Sequence, residues 1–342
     1  MTYTSFWWEE KQMCTAITLR SLQGANYFGR NMDFSYALQP HFYFVPKNYR
    51  WTNAVTGREL CDSYSFMGIG QELDGVLGFF DGVNEYGFAA AALYFAGYAQ
   101  YDTGTPNLSD IQVASYDFLH YILGHCASVE DLRAQMENIY IIGMADPLTQ
   151  TVAPLHWIAA DRTGKCVVLE QTDRGAELFT NPIGVLANSP DFRWHMTNLR
   201  NYMETSPQQM EETVWGGVWL TPFGQAGGTV PLPGGYTSPE RFVRAAYLNT
   251  HIPTPKDSEA AVVSFFQIMK SVFVPRGAVT TARGTDDYTQ YTALINLGAG
   301  EYYFQTYENL QIRKVGFPAA APSPATLTDL GKMAQPMIFE SL

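Results

Sequence analysis

The chain has 342 residues, of which 46% are hydrophobic and 16% charged, and it carries a formal net charge of −12. That composition excludes a disordered chain and allows one large core or two smaller ones. The acidic balance leaves no basic stripe to neutralise phosphates, so a nucleic-acid partner is not expected.

The first residues, MTYTSFWWEEKQ, carry an aromatic pair but neither a basic n-region nor a useful apolar h-region. They do not read as a secretory signal, and no apolar run approaches the roughly 18 residues that span a membrane. A cytoplasmic location and no membrane partner are the expectation. QMCTAITLR follows, and its alternation from Thr15 onward predicts a first strand with Cys14 at its head, directly after Met13. NYFGRNMDF, HFYFVP, YSFMGIG and GFAAAALYF read as further strands. Residues 111–125 show helical spacing, and Ser128 with Asp131 reads as a capping box for a helix to about Asn138. LHWIAAD, KCVVLEQ and GVLAN return to strand character, with DRTG (161–164) as a hairpin turn.

SPDFRWHMTNLRNYM predicts a helix with Ser189 as its N-cap and Pro190 at its first position. SPERFVRAAYLN repeats the device with Ser238 and Pro239, and SEAAVVSFFQIMKSV predicts one more amphipathic helix. Between them lies a Gly- and Pro-rich stretch. Trp219, Leu220, Phe223 and Leu232 make it too apolar for a solvated linker, so it reads as an ordered excursion that packs on something. YTALINL and EYYFQTYE, joined by NLGAGE (296–301), close the pattern, and the tail after Gly316 reads as a loosely packed extension. The sum is an α+β chain in which helices face two antiparallel sheets.

Four cysteines, Cys14, Cys61, Cys126 and Cys166, are far apart and form no C-x-x-C pair. Zinc and thioredoxin-like readings lack support, and free thiols are expected. Cysteine-dependent hydrolysis needs a thiolate, a base and donors for the oxyanion. His156 and His195 lie in apolar patterns beside no nucleophile motif and read as structural. A second solution needs no histidine. If Cys14 becomes the first residue, its α-amine, with a pKa of roughly 7.7–8.0, serves as the base. Residues 1–13 are then a start-site artefact or a pro-segment removed autocatalytically.

MCTAITL, YFGRNMDF, DGVNEYGFAAAALYF, LHWIAAD, GVLANSPDFRWHMTNLRNY, LTPFGQAGG, LPGGYTSPERFVRAAY and YTQYTALINL occur in that order. Together they resemble the choloylglycine hydrolase family, which contains bile salt hydrolases and penicillin V acylases. The resemblance runs from Cys14 to about Val315. It implies a four-layer αββα fold of the N-terminal-nucleophile hydrolases, with residues 14–315 as the domain and 316–342 as an extension. By that resemblance Cys14 is the nucleophile, Arg30 and Asp33 are the active-site arginine and aspartate, and Asn188 is the oxyanion donor. Arg241 is the second arginine, the main chain of Tyr94 completes the oxyanion hole, and Met32 and the Tyr94 side chain bind substrate.

Tyr94 occupies a position where bile salt hydrolases of the family typically carry asparagine and penicillin V acylases tyrosine. The expected reaction is therefore hydrolysis of a small N-acyl amide of the penicillin V type. Deconjugation of glycine- or taurine-linked bile salts is the alternative, and a non-catalytic binding protein on the same fold is the reading from another class. No metal or organic cofactor is implied. The excursion at 216–236 matches an assembly region of the family, which implies a homotetramer.

Overall fold

Cys14–Arg20 (β1) and Asn26–Phe34 (β2) form an antiparallel hairpin in the register Cys14↔Met32 through Arg20↔Asn26. The computed structural model describes residues 12–103, 110–319 and 325–339. The hairpin lies in a six-stranded sheet ordered Val185–Leu186, β1, β2, Tyr288–Asn296, Glu301–Thr306 and Asn309–Gly316. A second sheet of eight strands runs Gly175–Thr180, Cys166–Thr172, Leu155–Ala160, Ala89–Tyr94, Val76–Asn84, Phe66–Leu73, His41–Val45 and Thr328–Lys332. Every pairing inside these two sheets is antiparallel.

Two cores explain the layering. Ala89, Ala91 and Leu93 of one strand face the six-stranded sheet, while Ala90 faces the helices Phe118–His125 (α1) and Val129–Gln135 (α2). Ile158 and Trp157 divide in the same way. A strand covered on both faces reads as a continuous apolar run, which is why GFAAAALYF shows no polar alternation. On the far side of the six-stranded sheet pack Ser238–His251 (α4) and Ser258–Lys270 (α5), after Phe192–Asn198 (α3). A side chain at Gly29 of β2 would overlap the Phe265 ring, so glycine there lets α5 rest on the sheet. The result is the expected α–β–β–α stack.

Several local expectations change. Ile111–Ala114 is a strand paired in parallel with Ile139–Ile142, and the helix starts only at Phe118. A four-residue apolar run satisfies helix and strand periodicity alike, and β-branched Ile111 and Val113 favour the strand. Ser128 caps α2 as expected, accepting the Asp131 N–H at 3.1 Å, but the helix stops at Gln135. The Asn138 carbonyl instead takes the Ile111 N–H at 2.8 Å and opens the strand pair.

Asp191, not Ser189, caps α3, accepting the Trp194 N–H at 2.8 Å. Ser189 donates its hydroxyl to the Ala96 carbonyl at 2.7 Å. In α4 the cap moves to Thr237, which closes a capping box with Glu240 and frees Ser238 for another task. The tail is not a loose extension: Thr328–Lys332 completes the edge of the eight-stranded sheet and Met333 is buried.

The excursion is ordered and divides in two: its later half packs on the body, with Gly228 buried and the Pro233 and Gly235 carbonyls taking Arg244 Nη1 at 2.9 and 2.6 Å, while its hairpin stands exposed. Thr213–Trp215 and Val218–Leu220 form a hairpin that leaves Trp215 and Trp219 about 70% exposed, at 72% and 70%. Most of segment 1–13 lies outside the described residues, but Gln12 is buried and exchanges two hydrogen bonds with Ser35. Among the described residues, no helix is long and apolar enough to cross a membrane.

Candidate active site

Period-two alternation along β1 and β2 sorts the site onto two faces of one sheet. Cys14, Arg30 and Met32 point into the space between the sheets; Thr15 and Asp33 point the other way, toward α4. An arginine arrives on each face. Arg30 is held from the eight-stranded sheet by the Ala92 and Phe80 carbonyls, at 2.8 and 3.1 Å from Nη1. That fixes its Nη2 at 2.5 Å from Cys14 Sγ and 2.9 Å from Met32 Sδ. Arg241, on α4, donates from Nη1 to the Cys14 carbonyl at 2.5 Å and to Thr15 Oγ1 at 2.6 Å. Its Nη2 donates to Asn188 Oδ1 at 2.7 Å, and its Nη1 lies 3.9 Å from Asp33 Oδ2. Both guanidiniums are fully buried.

Asn188 joins the two halves. Its Oδ1 accepts from the Cys14 N–H and from Arg241, each at 2.7 Å, which settles the orientation of the amide. Its Nδ2 donates one hydrogen to the Tyr94 carbonyl at 2.9 Å, and the second is left for another acceptor. The loop carrying Asn188 is held tightly. Ser238 Oγ accepts its N–H at 2.9 Å, His195 Nε2 meets its carbonyl at 2.8 Å, and His156 Nε2 meets the Ala187 carbonyl at 3.0 Å. The histidines are structural, as expected, yet what they brace is the candidate oxyanion donor. Burial lowers His195 to about 4, so it stays neutral and donates from Nε2.

Burial pushes the Cys14 thiol up to about 11; Arg30 pulls it down and Asp33 pushes it up. Burial likewise raises Asp33 to about 6 against the pull of Arg241, while Thr289 donates to its Oδ1 at 2.5 Å. The Cys14 nitrogen is an amide here, in peptide linkage to Met13. A cavity of roughly 850 Å³, counting its open mouth, starts at Cys14. Its wall is mainly apolar and includes Met32, Phe34, Tyr94, Leu119 and Trp157. The Tyr94 ring meets Phe34 edge-on at 5.7 Å between centroids.

A sequence model of the linear amide C–N hydrolases, choloylglycine hydrolase family, matches residues 14–320. The chain belongs to the choloylglycine hydrolase family. It is a linear amide C–N hydrolase. A bile salt hydrolase/transferase of Clostridium perfringens is 37% identical over 310 residues, covering 89% of this chain and 92% of that protein. A conjugated bile acid hydrolase of Lactobacillus gasseri is 34% identical over 305 residues, 88% and 95% of the two chains. The crystal structure of a mutant C. perfringens conjugated bile acid hydrolase superposes with a TM-score of 0.87 at 32% identity, covering 96% of this chain and 99% of that one. A penicillin V acylase of Pectobacterium atrosepticum is 24% identical over 272 residues, 73% of this chain and 66% of that protein. The expectation drawn from Tyr94 thus stands against similarity along nearly the whole chain, which favours the bile-salt side of the family.

All six expected residues meet at one point: Cys14, Arg30, Asp33, Tyr94, Asn188 and Arg241, with Met32 beside the sulfur. Sequence reading missed Thr289, Ser238 and Asp287, which surround them. Thr289 and Asp287 precede the predicted strand YTALINL; the strand in fact begins at Tyr288, which places Thr289 on it and Asp287 immediately before it.

Proposed function

We propose that the chain hydrolyses the amide bond of conjugated bile salts, with Cys14 as an N-terminal nucleophile. The observation that carries the substrate reading is the mainly apolar wall of the cavity that opens at Cys14, formed by Met32, Phe34, Tyr94, Leu119 and Trp157. A rigid, largely apolar acyl group suits such a wall. Identities of 34–37% to bile-salt-cleaving relatives, against 24% to a penicillin V acylase, support the same choice. Tyr94 alone speaks for the phenoxyacetyl group, and one pocket side chain is worth only about 1–3 kcal/mol of discrimination.

The mechanism follows from the contacts. Release of residues 1–13 turns the Cys14 amide into an amine that lies one residue's covalent geometry from its own thiol. As Sγ attacks the substrate carbonyl, the amine takes the thiol proton and Arg30, 2.5 Å from Sγ, stabilises the developing negative sulfur. The oxyanion is met by the second Asn188 Nδ2 hydrogen and the Tyr94 main-chain N–H. Collapse breaks the C–N bond, the ammonium returns its proton to the leaving amine, and a thioester remains. Water, deprotonated by the same amine, cleaves the thioester to free acid and thiol.

The test is side-by-side turnover of glycine- and taurine-conjugated bile salts and of penicillin V. A larger kcat/KM for the bile salts supports the proposal; a larger value for penicillin V overturns it.

A further inference from the structure

Three buried carboxylate oxygens at the site lack a well-formed hydrogen bond. They are Asp33 Oδ2 and both oxygens of Asp287. Asp287 is 1% exposed and stands two residues before Thr289, whose hydroxyl holds the other Asp33 oxygen. Its N–H is used by the Val279 carbonyl at 3.0 Å, and the donor that faces its carboxylate is the Met13 N–H, in the segment that cleavage removes. Burial, helped by Asp33, raises Asp287 to about 8 against the pull of Arg241 and of the Met13 N–H. Arg241 has spent four of its five N–H donors on Tyr236, Cys14, Thr15 and Asn188. Two buried carboxylates beside one committed arginine leave the site a cation and several N–H donors short, a deficit that native interiors rarely tolerate.

Loss of Met13 creates the missing group in place. Hydrolysis of the Met13–Cys14 bond puts the water's hydroxyl on the Met13 carbonyl carbon and its proton on the Cys14 nitrogen. As an ammonium that nitrogen carries three N–H bonds instead of one, and one direction is already taken by Asn188 Oδ1 at 2.7 Å. We propose that Asp287, acting with Asp33, is the anionic cradle of the Cys14 α-amine: a positioning residue that binds the ammonium directly or through one water. The proposal rests on the reading of Cys14 as the N-terminal nucleophile. It explains the orphan oxygens as a site built for the mature chain and incomplete before cleavage.

The same side chain then has opposite effects in the two forms. In the unprocessed chain the raised Asp287 and Asp33 are more stable as neutral acids. Their ionisation costs stability as pH rises from the ordinary carboxyl range toward 8, with Arg241 and Arg30 as the opposing cations and the Cys14 thiol alongside. In the mature chain the anion is compensated by the ammonium and raises its pKa.

The experiment uses two full-domain chains, each with and without Asp287→Asn. One is the 342-residue chain with Cys14→Ala, confirmed as unprocessed by intact mass; the other starts at Cys14 after removal of an initiator methionine. Asp287→Asn should raise the melting temperature of the unprocessed chain at pH 9 and flatten its decline between about pH 4 and 8. In the mature chain it should lower kcat about tenfold to a hundredfold with little change in KM. It should also move the acid limb of the pH–rate profile down by about one unit. Asp287→Glu, which keeps the charge, should restore part of both. An acid limb that stays in place in both variants, with the same stability change in both chains, overturns the proposal. If the Asn variant does not fold, Asp287→Ser, which also removes the charge, takes its place, and an unmoved limb there overturns the proposal. Failure of the underlying reading looks different: a wild-type chain that keeps residues 1–13 and turns over as fast as the mature one.

Discussion

Cys14 and Cys166 invite comparison, because each is a buried thiol at the head of a strand with its side chain in the same intersheet core. Burial raises both, yet Cys166 is pushed beyond the range of any useful thiolate while Cys14 is held at about 11. Cys166 has Asp161 nearby, which pushes it higher. Cys14 has Arg30 at 2.5 Å on one face and Arg241 behind it on the other. Position at a strand head and burial therefore do not make a nucleophile. What distinguishes the two is the cation that each strand's neighbours deliver, together with, on the proposed mechanism, release of the segment that precedes Cys14.

The largest expected effect breaks that comparison directly. Cys14→Ser exchanges the thiol for a far less acidic hydroxyl, so turnover should fall by several orders of magnitude. Cys166→Ala and Cys126→Ala should keep kcat and lose only about 1 kcal/mol of stability, read from denaturant midpoints. Equal inactivation by Cys166→Ala in a folded protein would put the nucleophile elsewhere. Next comes Asn188→Ala, which removes the donor common to every substrate. It should lower kcat on the order of 10²–10³-fold for bile salts and penicillin V alike.

Smaller and more selective is Tyr94→Asn. The main chain stays, while the ring that meets Phe34 at 5.7 Å is lost and the cavity opens. The ratio of kcat/KM for bile salts over penicillin V should rise by the equivalent of about 1–3 kcal/mol. A uniform loss for both substrates would make Tyr94 a catalytic or structural residue instead. The smallest effect on chemistry is expected at the hairpin. Trp215 and Trp219 are exposed on an apolar patch of the kind that marks association surfaces. On the proposal that copies of the chain assemble there as a homotetramer, Trp215→Ser with Trp219→Ser should lower the mass measured by light scattering and leave the rate per site unchanged. An unchanged mass would remove the hairpin from the interface.

How far the sequence could be read follows the same division. The strands covered on both faces were legible as long apolar runs, and NYFGRNMDF spans the whole of β2. Cys14, Arg30, Asp33, Asn188 and Arg241 were legible because motif order tied them to a family. What was not legible depends on contacts across elements. The TDDYT run looks like a polar turn, and nothing local reveals that the register Thr289↔Asp33 carries Asp287 into the buried site. Ser238 reads as an N-cap until Thr237 takes the cap and leaves its hydroxyl for Asn188. The tail beyond Gly316 lacks periodicity, so its strand pairing with His41–Val45 is visible only in three dimensions. Tyr94 was legible as an aromatic pocket residue, and the penicillin V reading drawn from it rests on that one side chain, while similarity along the chain supports the alternative.

The central claim is that catalysis waits for the Cys14 nitrogen to be freed. Intact-mass measurement of the active enzyme, taken on the sample whose bile-salt turnover has just been recorded, tests it most directly. The account predicts a mass beginning at Cys14, with turnover proportional to the fraction so processed. Full turnover in a sample that retains residues 1–13 would contradict it.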